Sequence, residues 1–215
     1  MTAAEPRPPL QPGEPAPDFT LPAASGEGSV SLAQYRGKSP VYLALFRGLY
    51  CSFCRRHVVH LGSLAQKLQE VGVQTLGVVA TDPERSRFYF RFRPPRMPMG
   101  ADPELATHHA YGLPNVPLSA EALGIGNAAA SRELRRLNQP VPAEPLQAFM
   151  KLDGYEATPA DNADFVRHQV QLTGTFLLDR GGIVRHAYVE CAQGGPATFG
   201  EMPSAEEVLA QARAL

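Results

Sequence analysis

The chain has no tryptophan, no long apolar run and no excess of charge of either sign. Its 215 residues carry 20 Lys and Arg against 21 Asp and Glu, a formal charge of −1 at pH 7. This balance argues against a protein that wraps DNA or adheres to anionic lipid. The longest apolar run, Val41 to Phe46, is far shorter than the ~20 residues needed to cross a bilayer. We therefore expect neither a nucleic-acid partner nor a membrane span.

Cysteine is also scarce, and the three cysteines do not have the pattern of a secreted disulfide framework. The first 18 residues contain six prolines and no apolar core. Such a segment is unlike a secretory signal, and it predicts an extended, proline-rich arm over residues 1–17. We therefore expect a cytoplasmic protein whose two closely spaced cysteines form an intracellular redox or metal site.

The spacing of apolar residues predicts a single α/β domain over residues 1–215. Val41 to Phe46 is a continuous β-prone run, typical of a buried central strand. A short loop follows, and apolar residues then recur at helical spacing until Gly72, which is typical of a helix end. Because residues 73–80 again have the pattern of a buried strand, we predict a right-handed βαβ unit with parallel strands.

Short local signals predict the other regular elements. Asp82-Pro83 and Asp102-Pro103 are both typical helix starts. The first of these helices should bury its aromatic residues on one side and expose its arginines on the other. Residues 175–178 and 183–190 predict a β-hairpin, and Ser204 predicts the start of a C-terminal helix.

Residues 113–169 contain no convincing strand and are too many for an ordinary loop. Asn127 could cap one helix, and residues 145–152 predict a second. We therefore predict a helical insertion here. The fold class is then a central mixed sheet flanked by helices, with this insertion added.

The most informative feature is Cys51-Ser52-Phe53-Cys54, which lies where the central strand gives way to a helix. The first N–H groups of a helix have no intrahelical partner and carry partial positive charge, so a thiolate there has a pKa below the ~8.5 of a free thiol. Arg47 and Arg55 add positive charge nearby. The spacing also lets the two sulfurs join in a disulfide, which predicts a redox-active dithiol. We favour Cys51 as the nucleophile because it is nearer the helix start.

Metal binding is the competing chemistry, since Cys51, Cys54, His57 and His60 recur at a constant spacing of three. Each step of three turns a helical side chain by about 300°. Cys51 and His60 would therefore point in opposite directions, unless the two cysteines lie in the loop. The histidines are then more typical of a helix surface or core.

Several segments, taken with the dithiol, resemble the peroxiredoxin-like AhpC/TSA branch of the thioredoxin-fold superfamily. They are Pro12 to Leu21, Leu32 to Lys38, Ala101 to Gly112 and Thr175 to Gly182. The resemblance implies a thioredoxin-like fold and thiol-dependent reduction of peroxides or disulfides. It implies no bound cofactor, only an external thioredoxin-like or glutathione-like thiol reductant, and a homodimer is one candidate assembly. The alternative is not an enzyme: it is a thioredoxin-fold binding module whose thiols are non-catalytic or hold a metal.

The chain also departs from that family at its most characteristic positions. The family pattern Pro-x-x-x-Thr/Ser-x-x-Cys would put Arg47 at the proline and make Cys54 the attacking cysteine, whereas thioredoxins attack with the residue that corresponds to Cys51. The arginine that peroxiredoxins carry before the Thr-Phe strand is also missing, and Arg47 or Arg55 would have to replace it. We expect Cys191 to be a spare thiol, with a further resolving role as the alternative.

Overall fold

A five-stranded mixed sheet forms the centre of the computed structural model, which describes residues 7–215. Across the sheet its strands are β5 (Met99–Ala101), β4 (Gln74–Val79), β3 (Val41–Phe46), β8 (Gly174–Leu178) and β9 (Val184–Val189). β3 is parallel to β4 and antiparallel to β8, and β9 is antiparallel to β8. β3 and β9 therefore run in the same direction, and their C-terminal ends lie at the same edge of the sheet.

The helix and the parallel strand pairing predicted for the βαβ unit are confirmed. All six residues of β3 are buried, as expected for a central strand covered on both faces. Helix α1 (Ser52–Glu70) connects β3 to β4 and buries an apolar stripe that includes Val58, Leu61 and Leu68. The helix therefore begins one residue after Cys51, directly beyond the C-terminal end of the central strand.

Helix α2 (Pro83–Phe92) begins as predicted, because the Asp82 carboxylate accepts hydrogen bonds from the first helical amides. The prediction that this helix buries its aromatic face was wrong. Phe88 and Phe92 are 69% and 67% exposed and pack against each other, whereas Phe90 is buried.

The helix predicted to start at Asp102-Pro103 begins a few residues later. Helix α3 (Ala106–Ala110) starts after Leu105, which has left-handed backbone angles. The Asp102 carboxylate still accepts the amides of Ala106 and Thr107. Asp102 therefore stabilises the start of the helix from a turn that precedes it.

The described part of the N-terminal arm, residues 7–17, packs along the sheet. The amide of Leu10 donates to the Tyr111 carbonyl, and the amide of Val184 donates to the Glu14 carbonyl. Residues 1–6 of the predicted arm lie outside the described residues. A small hairpin of β1 (Thr20–Pro22) and β2 (Ser29–Ser31) follows the arm.

Three helices occupy most of residues 113–169: α4 (Ala120–Arg136), α5 (Pro145–Lys151) and α6 (Pro159–His168). Ser119, not Asn127, caps α4. The Asn127 side chain instead accepts the amide of Leu146, which ties α5 to α4. α6 was not predicted, although Thr158 and Asp161 form a capping box at its start. β6 (Asn115–Val116) and β7 (Val170–Gln171) pair at the two ends of this helical segment.

The C-terminal helix α7 (Ala205–Arg213) starts at a capping box formed by Ser204 and Glu207, as the sequence predicted. Within residues 7–215, no helix is both long and apolar enough to cross a membrane.

Candidate active site

The two motif cysteines lie where β3 ends and α1 begins, as predicted. Cys51 is the N-cap residue of α1, and its Sγ accepts the backbone amide of Cys54 at 3.2 Å. Both thiols are free, and the residues are only 8% and 2% exposed. The sulfur of Cys51 thus takes the place of the side-chain oxygen that usually satisfies the first helical amides.

Arg47 supplies positive charge directly to Cys51. It follows the last residue of β3, is 4% exposed, and its Nε donates to Cys51 Sγ at 3.3 Å. Its Nη1 donates to the Gln171 carbonyl at 2.9 Å. The guanidinium also lies over the ring of Phe199, 4.7 Å from its centre. Arg47, one of the two arginines that the sequence offered in place of the family's missing arginine, therefore contacts the Cys51 sulfur directly.

Glu190 holds the far side of this guanidinium. Arg47 Nη1 lies 2.7 Å from one carboxylate oxygen of Glu190, and Nη2 lies 3.0 Å from the other. Sequence analysis missed Glu190 as a site residue. Glu190 directly follows β9, and β9 ends at the same edge of the sheet as β3, a placement that depends on the strand order of the folded sheet.

The surroundings of the two thiols separate their acidities. Burial opposes ionisation of Cys51, but a hydrogen bond from the Cys54 thiol and the charge of Arg47 together lower the Cys51 pKa below its ordinary value. Burial and the hydrogen bond to Cys51 raise the Cys54 pKa well above its ordinary value. These surroundings therefore favour the anionic form of Cys51 and the protonated form of Cys54.

Arg55, the second cation proposed from the sequence, is directed towards the turn between α5 and α6. Its Nε and Nη2 donate to the Asp153 carboxylate at 2.6 and 2.9 Å, and its Nη1 donates to the Leu49 carbonyl. Its attraction to the Cys51 thiolate is Coulombic, without a hydrogen bond. Arg55 thus anchors the turn between α5 and α6 to the start of α1.

Helices α5 and α6 contact the residues beside both cysteines. Tyr50 packs edge-on against Phe165 of α6, with ring centres 5.6 Å apart. Phe53 packs on Phe149 of α5, at 4.8 Å. Together with the pair formed by Arg55 and Asp153, these contacts enclose the dithiol under α5 and α6.

This enclosure predicts how Asp153→Asn changes access to Cys51. Weakening a hydrogen bond between charged groups costs about 1.5 kcal/mol, so an open arrangement of α5 and α6 should become about tenfold more populated. We expect Cys51 to react about tenfold faster with a bulky aromatic disulfide in stopped-flow measurements. Asp179→Asn, which weakens a surface pair with Arg185, is the matched control. An unchanged rate in Asp153→Asn would show that α5 and α6 do not limit access to Cys51.

The two histidines do not complete a metal site with the cysteines. No group of three His, Cys, Asp or Glu side chains among residues 7–215 is placed to hold a metal ion. Burial lowers the pKa of His57 to about 4, and its Nδ1 has no hydrogen-bond partner. His60 is exposed on the surface of α1.

Cys191 directly follows Glu190 and has left-handed backbone angles. Burial and the neighbouring Glu190 charge raise its pKa to about 11. At neutral pH it is therefore protonated and a poor nucleophile. Its expected role as a spare thiol stays a prediction.

The chain resembles known proteins in both sequence and fold. The model of the AhpC/TSA family matches residues 12–187, and the chain belongs to that family. A curated relative, the thiol-disulfide oxidoreductase ResA of Halalkalibacterium halodurans, is 36% identical over 107 residues. The matched region is 49% of this chain and only 58% of that relative's length.

Solved structures share the fold at low identity. The reduced 2-Cys peroxiredoxin of Plasmodium vivax has a TM-score of 0.58 at 17% identity, covering 94% of this chain and 79% of that one. The peroxidoxin BcpB of Mycobacterium tuberculosis has a TM-score of 0.59 at 15% identity, covering 96% and 98%. These similarities and the mixed sheet confirm the predicted thioredoxin-like α/β fold.

Proposed function

We propose that the protein is a thiol-dependent oxidoreductase that reduces peroxides, with Cys51 as the nucleophile. The observation that carries the proposal is the double hydrogen bonding of Cys51 Sγ, from the Arg47 guanidinium and from the Cys54 amide. Both bonds favour the thiolate, which is the reactive form of cysteine. The neighbouring Cys54 stays protonated and is placed to resolve the first product.

In the proposed reaction, the Cys51 thiolate attacks one peroxide oxygen. An S–O bond forms while the O–O bond breaks, and the departing hydroxide takes the proton of Cys54 to become water. The Cys54 thiolate then attacks the Cys51 sulfur and expels the second oxygen as hydroxide, which solvent protonates. The Cys51–Cys54 disulfide has thus taken up the oxidising equivalents of one peroxide. An external thiol reductant returns the two electrons.

Enclosure of the dithiol favours a small oxidant over a protein disulfide. Cys51 is buried, and aromatic side chains of the insertion pack on both Tyr50 and Phe53. Hydrogen peroxide needs far less open space than a polypeptide disulfide. Disulfide exchange is the second candidate, and the similarity to ResA over the matched residues favours it.

The pH dependence of alkylation tests the acidity on which the proposal depends. Because its pKa is lowered, Cys51 should be ionised above that pKa and lose reactivity only as the pH falls through it. We expect iodoacetamide, followed by peptide mass spectrometry, to label Cys51 with a midpoint well below the ~8.5 of a free thiol. Cys54 should stay unlabelled at neutral pH. A midpoint at or above that of a free thiol for Cys51 would contradict the assignment.

Addition of hydrogen peroxide separates the enzyme from the rival binding module. The proposed enzyme should lose two thiols rapidly and regain them on treatment with a dithiol reductant. If the thiols do not react with hydrogen peroxide, the result would favour the binding module. A thioredoxin-like or glutathione-like reductant, a homodimer and a cytoplasmic location remain proposals drawn from the sequence.

A further inference from the structure

Glu190 is a fully buried carboxylate beside the dithiol, with a side chain that is 0% exposed. In addition to the two bonds from Arg47, it accepts the backbone amides of Thr173 at 3.0 Å and of Gly200 at 2.7 Å. The Thr173 hydroxyl donates a further bond at 3.2 Å. Three separate segments of the chain therefore fix the carboxylate in place.

This fixed carboxylate determines where Arg47 can point. A guanidinium is a rigid planar fork, so binding both of its terminal nitrogens to Glu190 sets its plane and direction. The Gln171 carbonyl accepts a second bond from Nη1. In that orientation Nε faces Cys51 Sγ at 3.3 Å.

We propose that Glu190 is a positioning residue of the redox site, which holds Arg47 so that Nε donates to the Cys51 thiolate. The inference rests on the proposed function of the dithiol. It is distinct from a direct charge effect, because the negative charge of Glu190 by itself disfavours a second anion nearby. Moving the carboxylate away from Arg47 should therefore raise the Cys51 pKa if Glu190 acts by positioning, and should not raise it if Glu190 acts by its charge alone.

Glu190→Asp separates the two effects, because it keeps the charge but shortens the side chain by one methylene. A carboxylate bound to the Thr173 and Gly200 amides can then no longer reach both nitrogens of Arg47. We expect the Cys51 pKa, measured by the pH dependence of iodoacetamide labelling, to rise by about one unit, which lowers labelling below the pKa about tenfold. Glu201→Asp, at a half-exposed glutamate that pairs with Arg132, should leave the pKa unchanged.

A double-mutant cycle tests whether Glu190 acts through Arg47. In an Arg47→Lys background the guanidinium fork is absent, so adding Glu190→Asp should change the Cys51 pKa no further. Thr173→Val, which removes only the hydroxyl bond to Glu190, serves as a second variant should Glu190→Asp not fold. Thr173→Val should raise the Cys51 pKa by less than Glu190→Asp does. An unchanged or lowered Cys51 pKa in the folded variant would overturn the positioning role.

The labelling readout also keeps this inference separate from the proposed reaction. Iodoacetamide reports the acidity of Cys51 whether or not peroxide is a substrate. A wild-type protein that does not consume hydrogen peroxide would overturn the proposed function. The shifts between variants would still decide the role of Glu190.

Discussion

Cys51→Ser is expected to lower peroxide-dependent thiol oxidation by ~10³-fold or more, since loss of a covalent nucleophile usually has effects of at least this size. A serine hydroxyl at this position is not ionised at neutral pH, so the Nε of Arg47 has no anion there to stabilise. Hydrogen peroxide consumption with excess dithiol reductant measures the loss. Cys191→Ser is the matched control and should retain the wild-type rate, because its raised pKa keeps that thiol protonated.

Cys54→Ser should preserve the first chemical step and block the second. Cys51 would then accumulate as a sulfenic acid, which dimedone traps and mass spectrometry locates. The family's sequence pattern predicts the reverse, with Cys54 as the attacking thiol. A stable sulfenic acid on Cys54 in the Cys51→Ser protein, with Cys51 inert in the Cys54→Ser protein, would establish that reverse assignment.

Arg47→Met is expected to destabilise the fold by about 3–5 kcal/mol, because it leaves the buried carboxylate of Glu190 without its cation. Urea denaturation measures the change in the free energy of unfolding. The double variant Arg47→Met with Glu190→Gln removes both charges and keeps a carbonyl oxygen that can accept one of the Thr173 and Gly200 amides, so it should recover part of that stability. The Cys51 pKa of this double variant should nevertheless remain higher than in the wild type.

This comparison separates stability from thiol activation. If the double variant is folded and its Cys51 is labelled as readily as in the wild type at pH 7, Arg47 does not activate the thiol. A loss of stability below about 1 kcal/mol in Arg47→Met alone would show that the Arg47–Glu190 pair is not energetically coupled to the fold.

The central part of the site could be predicted from the sequence because its signals are local. Val41 to Phe46 and the apolar stripe of α1 mark a strand followed by a helix, which places Cys51 at a helix start. Arg47 precedes Cys51 by four residues, so its proximity also followed from the sequence. That its Nε, rather than a terminal nitrogen, meets the sulfur depends on contacts outside this segment.

Glu190 could not be assigned from local sequence signals, because the pairing of the sheet strands brings it to Arg47. The hairpin that ends at residue 190 was predicted, but its pairing beside β3 was not. The order β3-β8-β9, with β3 and β9 running in the same direction, brings the two side chains together. The spacing of apolar residues does not show which distant strands pair with each other.

Other differences have simpler physical causes. β5 has only three residues, Met99–Ala101, too few to show a periodic pattern. Helix α6 was missed although Thr158 and Pro159 give a typical start, because few of its residues face the core. In α2, aromatic residues were assumed to be buried, whereas only Ser86 and Phe90 are buried.

The N-cap role of Cys51 has a consequence for the energetics of electron transfer. The Arg47 Nε–H and the Cys54 amide both donate to a sulfur that is anionic only in the dithiol form. A disulfide sulfur is a much weaker hydrogen-bond acceptor than a thiolate, so oxidation weakens both hydrogen bonds. Selective stabilisation of the dithiol form makes a disulfide a stronger oxidant. The Cys51–Cys54 couple should therefore have a less negative reduction potential than one formed by two ordinary thiols.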